Sequence, residues 1–361
     1  MVESEQPGDD VVFYFPVEGL RISSAIKIGA GSFIPGADAP NKIPPLDPGL
    51  DKFKHQHERH SRFLEDLAAS SFYEVSANSR DEAFSLTDNA IHLLRLFYHY
   101  QGRMGAAHPA FGLPGQTSTA NTSFLQRTRE HVTPGWHRDG HVLGVEIPEK
   151  ILEEFRSSKA FAFASDAIAT LTPSEGAESK AAVGIELMSQ ALIGLNHSVN
   201  VMHWVQALEA MITDRSTSAQ TFHFARRGAF FGCGRLNDSL CGRDRNICKA
   251  LKQDPADNGH RTILKKLVNG TDTTERLCLE WIQLMDWYDA RSDYAHGGLM
   301  RDPSTGVARD AAKLDLDIRT WILNFYLVPI LTWLSEHAKH PVADLDHALA
   351  SLAGAASATD S

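Results

Sequence analysis

Four cysteines in 361 residues are too few for a disulfide scaffold, so the chain must be held by apolar cores. It also lacks a run of the roughly 20 apolar residues that a helix needs to cross a bilayer. The most apolar stretch, Trp321 to Leu334, is shorter and contains Asn324, Pro329 and Thr332. That pattern reads as a core helix, and no membrane partner is expected. The opening MVESEQPGDD has neither the basic nor the apolar region of a secretory leader, so a cytoplasmic location is expected. Basic residues are outnumbered, 35 against 45 acidic, for a formal charge of −10. This excludes a protein that coats nucleic acid through its overall field. Phosphate-binding glycine loops, dinucleotide fingerprints and nucleophile elbows are missing too, and no cofactor is expected.

What is present is ample core material, 43% hydrophobic against 22% charged residues, in a length that suits about two domains. The first stretch is β-rich. Val11 to Val17 and Ile22 to Ile28, joined through Glu18 and Gly19, predict a hairpin. Pro35, Pro40, Pro44, Pro45 and Pro48 then predict an irregular surface connection. Apolar residues at three- and four-residue spacing predict a helix over Leu86 to Gln101 behind a Thr87/Asp88 start, and another from Pro148 to Phe155. From Met104 to Gly144 no period is evident.

The small polar segment Thr172 to Ala182 reads as a linker, and beyond it the patterning is helical. Helices are expected over Ile185 to Leu195, Val199 to Ile212 and Thr221 to Phe231, followed by a basic loop to about Asn269. Asp272 and Glu275 have capping-box spacing for a long helix ending at Gly297 and Gly298. A last helix over Ala311 to His337 should bend at Pro329. The division is therefore an α+β domain over 1–172, an all-α domain over 173–340, and a flexible Ala/Ser-rich tail over 341–361.

The segment most suggestive of chemistry is WYDARSDYAHGG, Trp287 to Gly298. Arg291 precedes His296 by five positions, which on an ideal helix separates them by about 140° and about 7.5 Å. They could still address one phosphate if the last turn loosens toward Gly297. A guanidinium can fork two phosphate oxygens at any physiological pH, and an imidazole exchanges protons near neutrality. RNA cleavage without a metal needs those two functions: stabilised charge on the pentavalent phosphate, and proton transfer at the 2′-OH or the leaving oxygen. The plainer alternative is that both cations complement the helix dipole.

This block resembles the HEPN superfamily, and most closely its Apea-like branch. The family's motif is Arg, four to six residues, then His, often with a preceding Tyr, here Tyr288, and a following Gly. Trp204 to Ile212, with Leu208 and Glu209, is similar to the family's early helix, and Phe224 to Phe231 to the helix after it. The resemblance covers about Ala181 to Ala338, and the opening Phe15 to Ile28 is similar in style to the region preceding such domains. It implies an all-α HEPN-type bundle behind an α+β domain, forming a homodimer whose facing motifs make a composite endoribonuclease site. Cleavage would leave a 2′,3′-cyclic phosphate, in a defence or toxin role. Arg291 would hold the scissile phosphate, with His296 as acid or base. Many active members have Asn, Asp or His after the Arg; this chain has Ser292, a hydroxyl that can still bond a phosphate or hold Arg291. Tyr294 stacks on a base or packs in the bundle, and Glu209 anchors an arginine or is an ordinary helix charge.

Between Arg226 and Lys266, ten basic residues face four acidic ones, so RNA contact is expected through Arg226, Arg227, Arg243 and Arg245. No metal site is expected. The His137/Asp139 pair lacks the strand series of a double-sheet barrel, His55, His57 and His60 lie in a charged amphipathic run, and Cys233, Cys241, Cys248 and Cys278 lack the close pairs of structural zinc sites. The alternative to an enzyme is a non-catalytic HEPN bundle that binds RNA, a nucleotide or a protein.

Overall fold

A computed structural model describes residues 11–43, 70–101, 111–113, 124–127, 132–135, 145–172, 176–194, 196–214, 220–232, 279–302 and 305–357. The chain separates into two compact units, Met1–Pro173 and Ser174–Ser361. The first combines a small antiparallel sheet with helices, and the described part of the second is almost entirely helical.

In the first unit, β1 (Val11–Val17), β3 (Ile26–Ile28), β4 (Gly31–Ile34) and β5 (Ser71–Ala77) form a sheet in the order β1-β5-β4-β3. The predicted hairpin is corrected. β1 pairs with β5, from Val11↔Ala77 to Val17↔Ser71, while β2 (Leu20–Ile22) turns away at Gly19 (φ 77°) to pair in parallel with β8 (Val145–Ile147). Ile22 to Ile28 is not one strand because Ser23 and Ser24 are bent toward a helix. Ser23 donates to Glu149 Oε2 at 3.1 Å, and Arg156 donates to Ser24 Oγ at 2.7 Å. β3 and β4 do form a hairpin. Tyr73, from β5, locks it by donating to Ile28 O at 2.5 Å and accepting from Gly31 N at 2.8 Å. Residue 31 has to be glycine: a Cβ there would lie 2.2 Å from Glu74 O.

Part of the proline-rich passage is helical, a short α1 over Ala39–Lys42 with a proline in its first turn, where the missing N–H costs nothing; Pro44, Pro45 and Pro48 lie outside the described residues. α2 runs over Arg80–Tyr100, starting earlier than expected. Ser79 is its cap, accepting from Glu82 N, whereas Thr87 is buried mid-helix and donates to Ala83 O at 2.7 Å. β6 (Phe124–Arg127) and β7 (Val132–Gly135) form a separate antiparallel pair where no period was evident. α3 (Glu149–Ser157) and α4 (Lys159–Ala167) close the core through Phe97, Phe155 and Phe161, whose ring centres lie 4.8–5.6 Å apart.

In the second unit, α5 (Ala177–Ile193) and α6 (His197–Ile212) pack as a hairpin. Most of the expected linker is the start of α5, because Ala177 and Ala181 are small enough to be buried against neighbours rather than left in solvent. Gly184 allows the closest approach; a Cβ there would lie 2.2 Å from Met211 Cε. Around this pair stand α7 (Gln220–Gly232), α8 (Leu279–Gly297), α9 (Ala311–Trp321), α10 (Leu327–Glu336) and α11 (Pro341–Ser357). The Asp272/Glu275 cap and the basic loop lie outside the described residues.

The bend expected at Pro329 is a π-helical stretch, Ile322–Tyr326, between α9 and α10. Proline cannot donate to the carbonyl four residues back and its ring crowds that carbonyl, so widening the preceding turn relieves both. A buried carboxylate ties α9 to α6: Asp315 accepts from Asn200 Nδ2 at 3.0 Å and Trp204 Nε1 at 2.9 Å, with His197 Nδ1 at 2.8 Å.

The flexible tail is also corrected. α11 buries Val342, Leu345 and Leu349, a stripe at three- and four-residue spacing hidden in an Ala-rich background. Its start is fixed by Trp333, which donates to Pro341 O at 2.9 Å, and by His337, whose Nδ1 lies 3.0 Å from Asp344 Oδ2. Among the described residues, no helix is long and apolar enough to cross a membrane.

Candidate functional site

α8 carries the Arg291 and His296 pair, and its residues Leu284, Met285, Trp287, Tyr288 and Ala290 are buried. Trp287 meets Tyr326 of the π segment, with ring centres 6.3 Å apart, and Tyr288 meets Phe224 of α7 at 5.3 Å. Gly228 lets α7 approach, since a Cβ there would lie 2.7 Å from Leu284 Cδ1. The helix ends as the double glycine predicts. Gly298 adopts φ +70° and its N–H returns to Tyr294 O at 2.9 Å.

Beyond that stop, the chain is braced back onto α8. Arg309 grips both carboxylate oxygens of Asp286, its Nη1 lying 2.8 Å from Oδ2. Arg301 and Ala308 form a β-bridge across the turn. α8 is thereby tied at Asp286, in its middle turns, to the segment that follows it.

Arg291 lies in a polar cluster between α6, α7 and α8. Its Nη2 is 3.3 Å from Glu209 Oε2, its Nη1 donates to the Tyr288 hydroxyl at 3.5 Å, and the guanidinium carbon sits 5.2 Å from the Tyr288 ring centre. The Tyr288 hydroxyl lies 3.2 Å from both Glu209 Oε1 and Gln220 Oε1, and with one proton it can donate to only one of them at a time. Burial, then the Glu209 carboxylate, raises the pKa of this hydroxyl, so it stays protonated and neutral at pH 7. Arg291 keeps 24% of its side chain exposed, while its Nε is buried without a hydrogen-bond partner among the described residues. Glu209 is thus the arginine anchor that the sequence left undecided.

His296 is exposed on the last turn, and Ser292 and Tyr294 are half-buried. The last turn does not loosen: the helix runs on through Gly297. Arg291 and His296 therefore keep the azimuthal separation of about 140° that a regular helix imposes. The loosened last turn under which both could address one phosphate from a single chain is therefore not formed, because the helical ladder stays intact up to the glycine that ends it.

The basic set divides as well. Arg227 is 2% exposed and forks onto Asp346, Nε to Oδ1 at 2.9 Å and Nη2 to Oδ2 at 2.7 Å. Its expected RNA contact is corrected, since its donors are turned inward to α11 and the Ile212 carbonyl. Arg226 is half-exposed on α7, and Arg243 and Arg245 lie outside the described residues. So do the four cysteines and His55, His57, His60, His137 and Asp139. Among the described residues no three His, Cys, Asp or Glu side chains gather as a metal-binding group.

Gln220 was not foreseen, although it stands one helical turn before Phe224 and on the same face. A cleft of about 460 Å³ is lined by Asp286, Asp302, Asp310, Asp317, Arg309 and Lys313 among others, and includes neither Arg291 nor His296. Its acid-rich lining has the wrong sign for a polynucleotide. No protein-family model, curated protein or solved structure matches this chain.

Proposed function

We propose that this chain is a metal-independent endoribonuclease of the Apea-like HEPN type, acting as a homodimer in a defence or toxin setting. The observation that carries the reading is a half-exposed arginine held by a carboxylate and a tyrosine, about one and a half turns from an exposed histidine at the end of the same helix. Glu209 and Tyr288 restrict the guanidinium, so less freedom is lost when it grips a phosphate. Its exposed portion can donate to the scissile phosphate as negative charge builds on it. His296 is free to reach solvent and can take the 2′-OH proton or return one to the leaving 5′-oxygen.

Because the two side chains diverge on one helix, a single phosphate is served by Arg291 of one copy and His296 of its partner. That requirement agrees with the dimer which the family resemblance implies. The test is cleavage of a defined RNA in excess EDTA with end-group analysis. The parent chain should leave cyclic phosphate ends. Arg291→Ala and His296→Ala should each cut at least about 10²-fold more slowly, and mixing the two variants should restore one intact site in a fraction of dimers. Cutting by both variants at the parent rate overturns the assignment.

One observation favours a second reading, a non-catalytic bundle that binds RNA, a nucleotide or a protein: the Arg291–Glu209 ion pair gives the arginine a structural role. In that case the same assay returns salt-sensitive binding without cleavage.

A further inference from the structure

The first unit carries a row of polar side chains that the proposed cleavage does not use. Asp88, His92, Arg95 and His99 follow one another along α2 at intervals of four, three and four residues, which places them on one face. His92, Arg95 and His99 are 7%, 3% and 5% exposed, among neighbours that are almost all apolar. Burying a guanidinium so deeply costs several kcal/mol unless its charge and its donors are met.

They are met only in part. Arg95 Nε and Nη2 both donate to the Phe111 carbonyl, at 3.0 and 2.6 Å, and the guanidinium lies 5.6 Å from the Phe111 ring centre. Its Nη1 is buried without a hydrogen-bond partner among the described residues, and so is His92 Nδ1. Asp88 sits beside His92 instead, its Oδ1 3.4 Å from Nε2.

The protonation states follow from burial. Burial pushes the His92 imidazole down to about 4, so it is neutral at pH 7. Its single proton belongs on Nε2, facing the Asp88 carboxylate, which leaves Nδ1 as a bare acceptor. Burial lowers Arg95 only to about 10, so it remains a cation. One helical turn apart, then, stand a cationic donor and a neutral acceptor. A ligand that answers both offers an anionic oxygen to one and an O–H to the other.

We infer that this face of α2 is a binding site for a small oxyanion that retains a hydroxyl, of which hydrogen phosphate is the simplest. Sulfate has the same shape but no proton at neutral pH, and would turn an oxygen lone pair against that of His92. The site therefore discriminates by proton count rather than by size.

The experiment is calorimetric titration of the full-length chain at pH 7 with sodium phosphate and with sodium sulfate at equal ionic strength. One saturable phosphate site per chain is expected, at least about tenfold tighter than sulfate, the value of a single neutral hydrogen bond against a lone-pair clash. His92→Phe should bring phosphate down to the sulfate level, and Arg95→Gln should abolish both. Equal affinities, no saturable binding, or a phosphate preference that survives His92→Phe overturns the inference. If Arg95→Gln fails to fold by circular dichroism, the phosphate-to-sulfate ratio of the parent chain decides the matter alone.

Discussion

Arg227 and Arg291 sit on neighbouring helices of the same bundle, each with a carboxylate partner, yet the two regions use the same chemistry to opposite ends. At the α7/α11 corner, Arg227 is 2% exposed and its fork is closed on both oxygens of Asp346. Near the end of α8, Arg291 is 3.3 Å from Glu209 and donates to the Tyr288 hydroxyl, its Nε has no hydrogen-bond partner among the described residues, and about a quarter of its side chain stays in solvent. A bidentate, desolvated guanidinium is a rivet; a partly exposed one without a bidentate carboxylate retains donors for a ligand. Arg95 is intermediate, buried like Arg227 but incompletely satisfied like Arg291.

The strongest way to break this comparison is to delete the ligand-facing arginine. Arg291→Ala should lower RNA cleavage by about 10²- to 10³-fold while moving the unfolding free energy by under about 1 kcal/mol, because a partly exposed pair contributes little to folding. His296→Ala should cost about 10²- to 10⁴-fold in rate and leave stability unchanged. Arg227→Ala should do the reverse, losing about 3 kcal/mol in denaturant unfolding because Asp346 and the Ile212 carbonyl lose their buried partner. RNA binding by a correctly folded Arg227→Ala protein should match the parent's.

The third setting is sharpened by pH. His92 is held near 4 in the folded chain, below the ordinary value of about 6.5, so the unfolded chain takes up a proton that the folded one refuses. Its contribution is fully present above about pH 6.5 and declines as pH falls toward 4, by as much as about 2–3 kcal/mol. His92→Phe should flatten that part of a stability-versus-pH curve. The smallest effect is expected from Glu209→Gln, which keeps a partner for Tyr288 but removes the charge facing Arg291. It should lower stability by under about 1 kcal/mol and mainly change KM for RNA, read in steady-state cleavage.

Local signals served where a residue's own neighbours along the chain decide its state. The helical period of α6, the Gly298 stop and the β-rich opening were all legible in that way. They misled where a partner distant in sequence decides. β1 finds β5 roughly 60 residues away rather than the strand that follows it, and Thr87 looks like a cap until Ser79 takes that place. The stripe Val342, Leu345 and Leu349 is too sparse to stand out from alanines until Trp333 and the end of α10 supply a surface to cover. The candidate site shows the same limit. Arg291, His296 and Glu209 could be nominated from residue type and spacing, but Gln220 could not, and Arg227 looked as available to RNA as Arg226 does.

Sequence alone determined the most strongly periodic helices, the change from a mixed first part to a helical second one, and the pairing of a permanent cation with a titratable ring ahead of a glycine stop. These follow from backbone propensity and from side-chain chemistry, which each residue carries wherever it sits. Tertiary structure alone decided which arginines are closed and which stay open, that Arg291 and His296 diverge within one chain, and that Arg95 and His92 keep hydrogen-bonding atoms unanswered among the described residues. Those outcomes depend on desolvation and on the angular demands of hydrogen bonds, and neither exists until segments far apart in sequence are packed together.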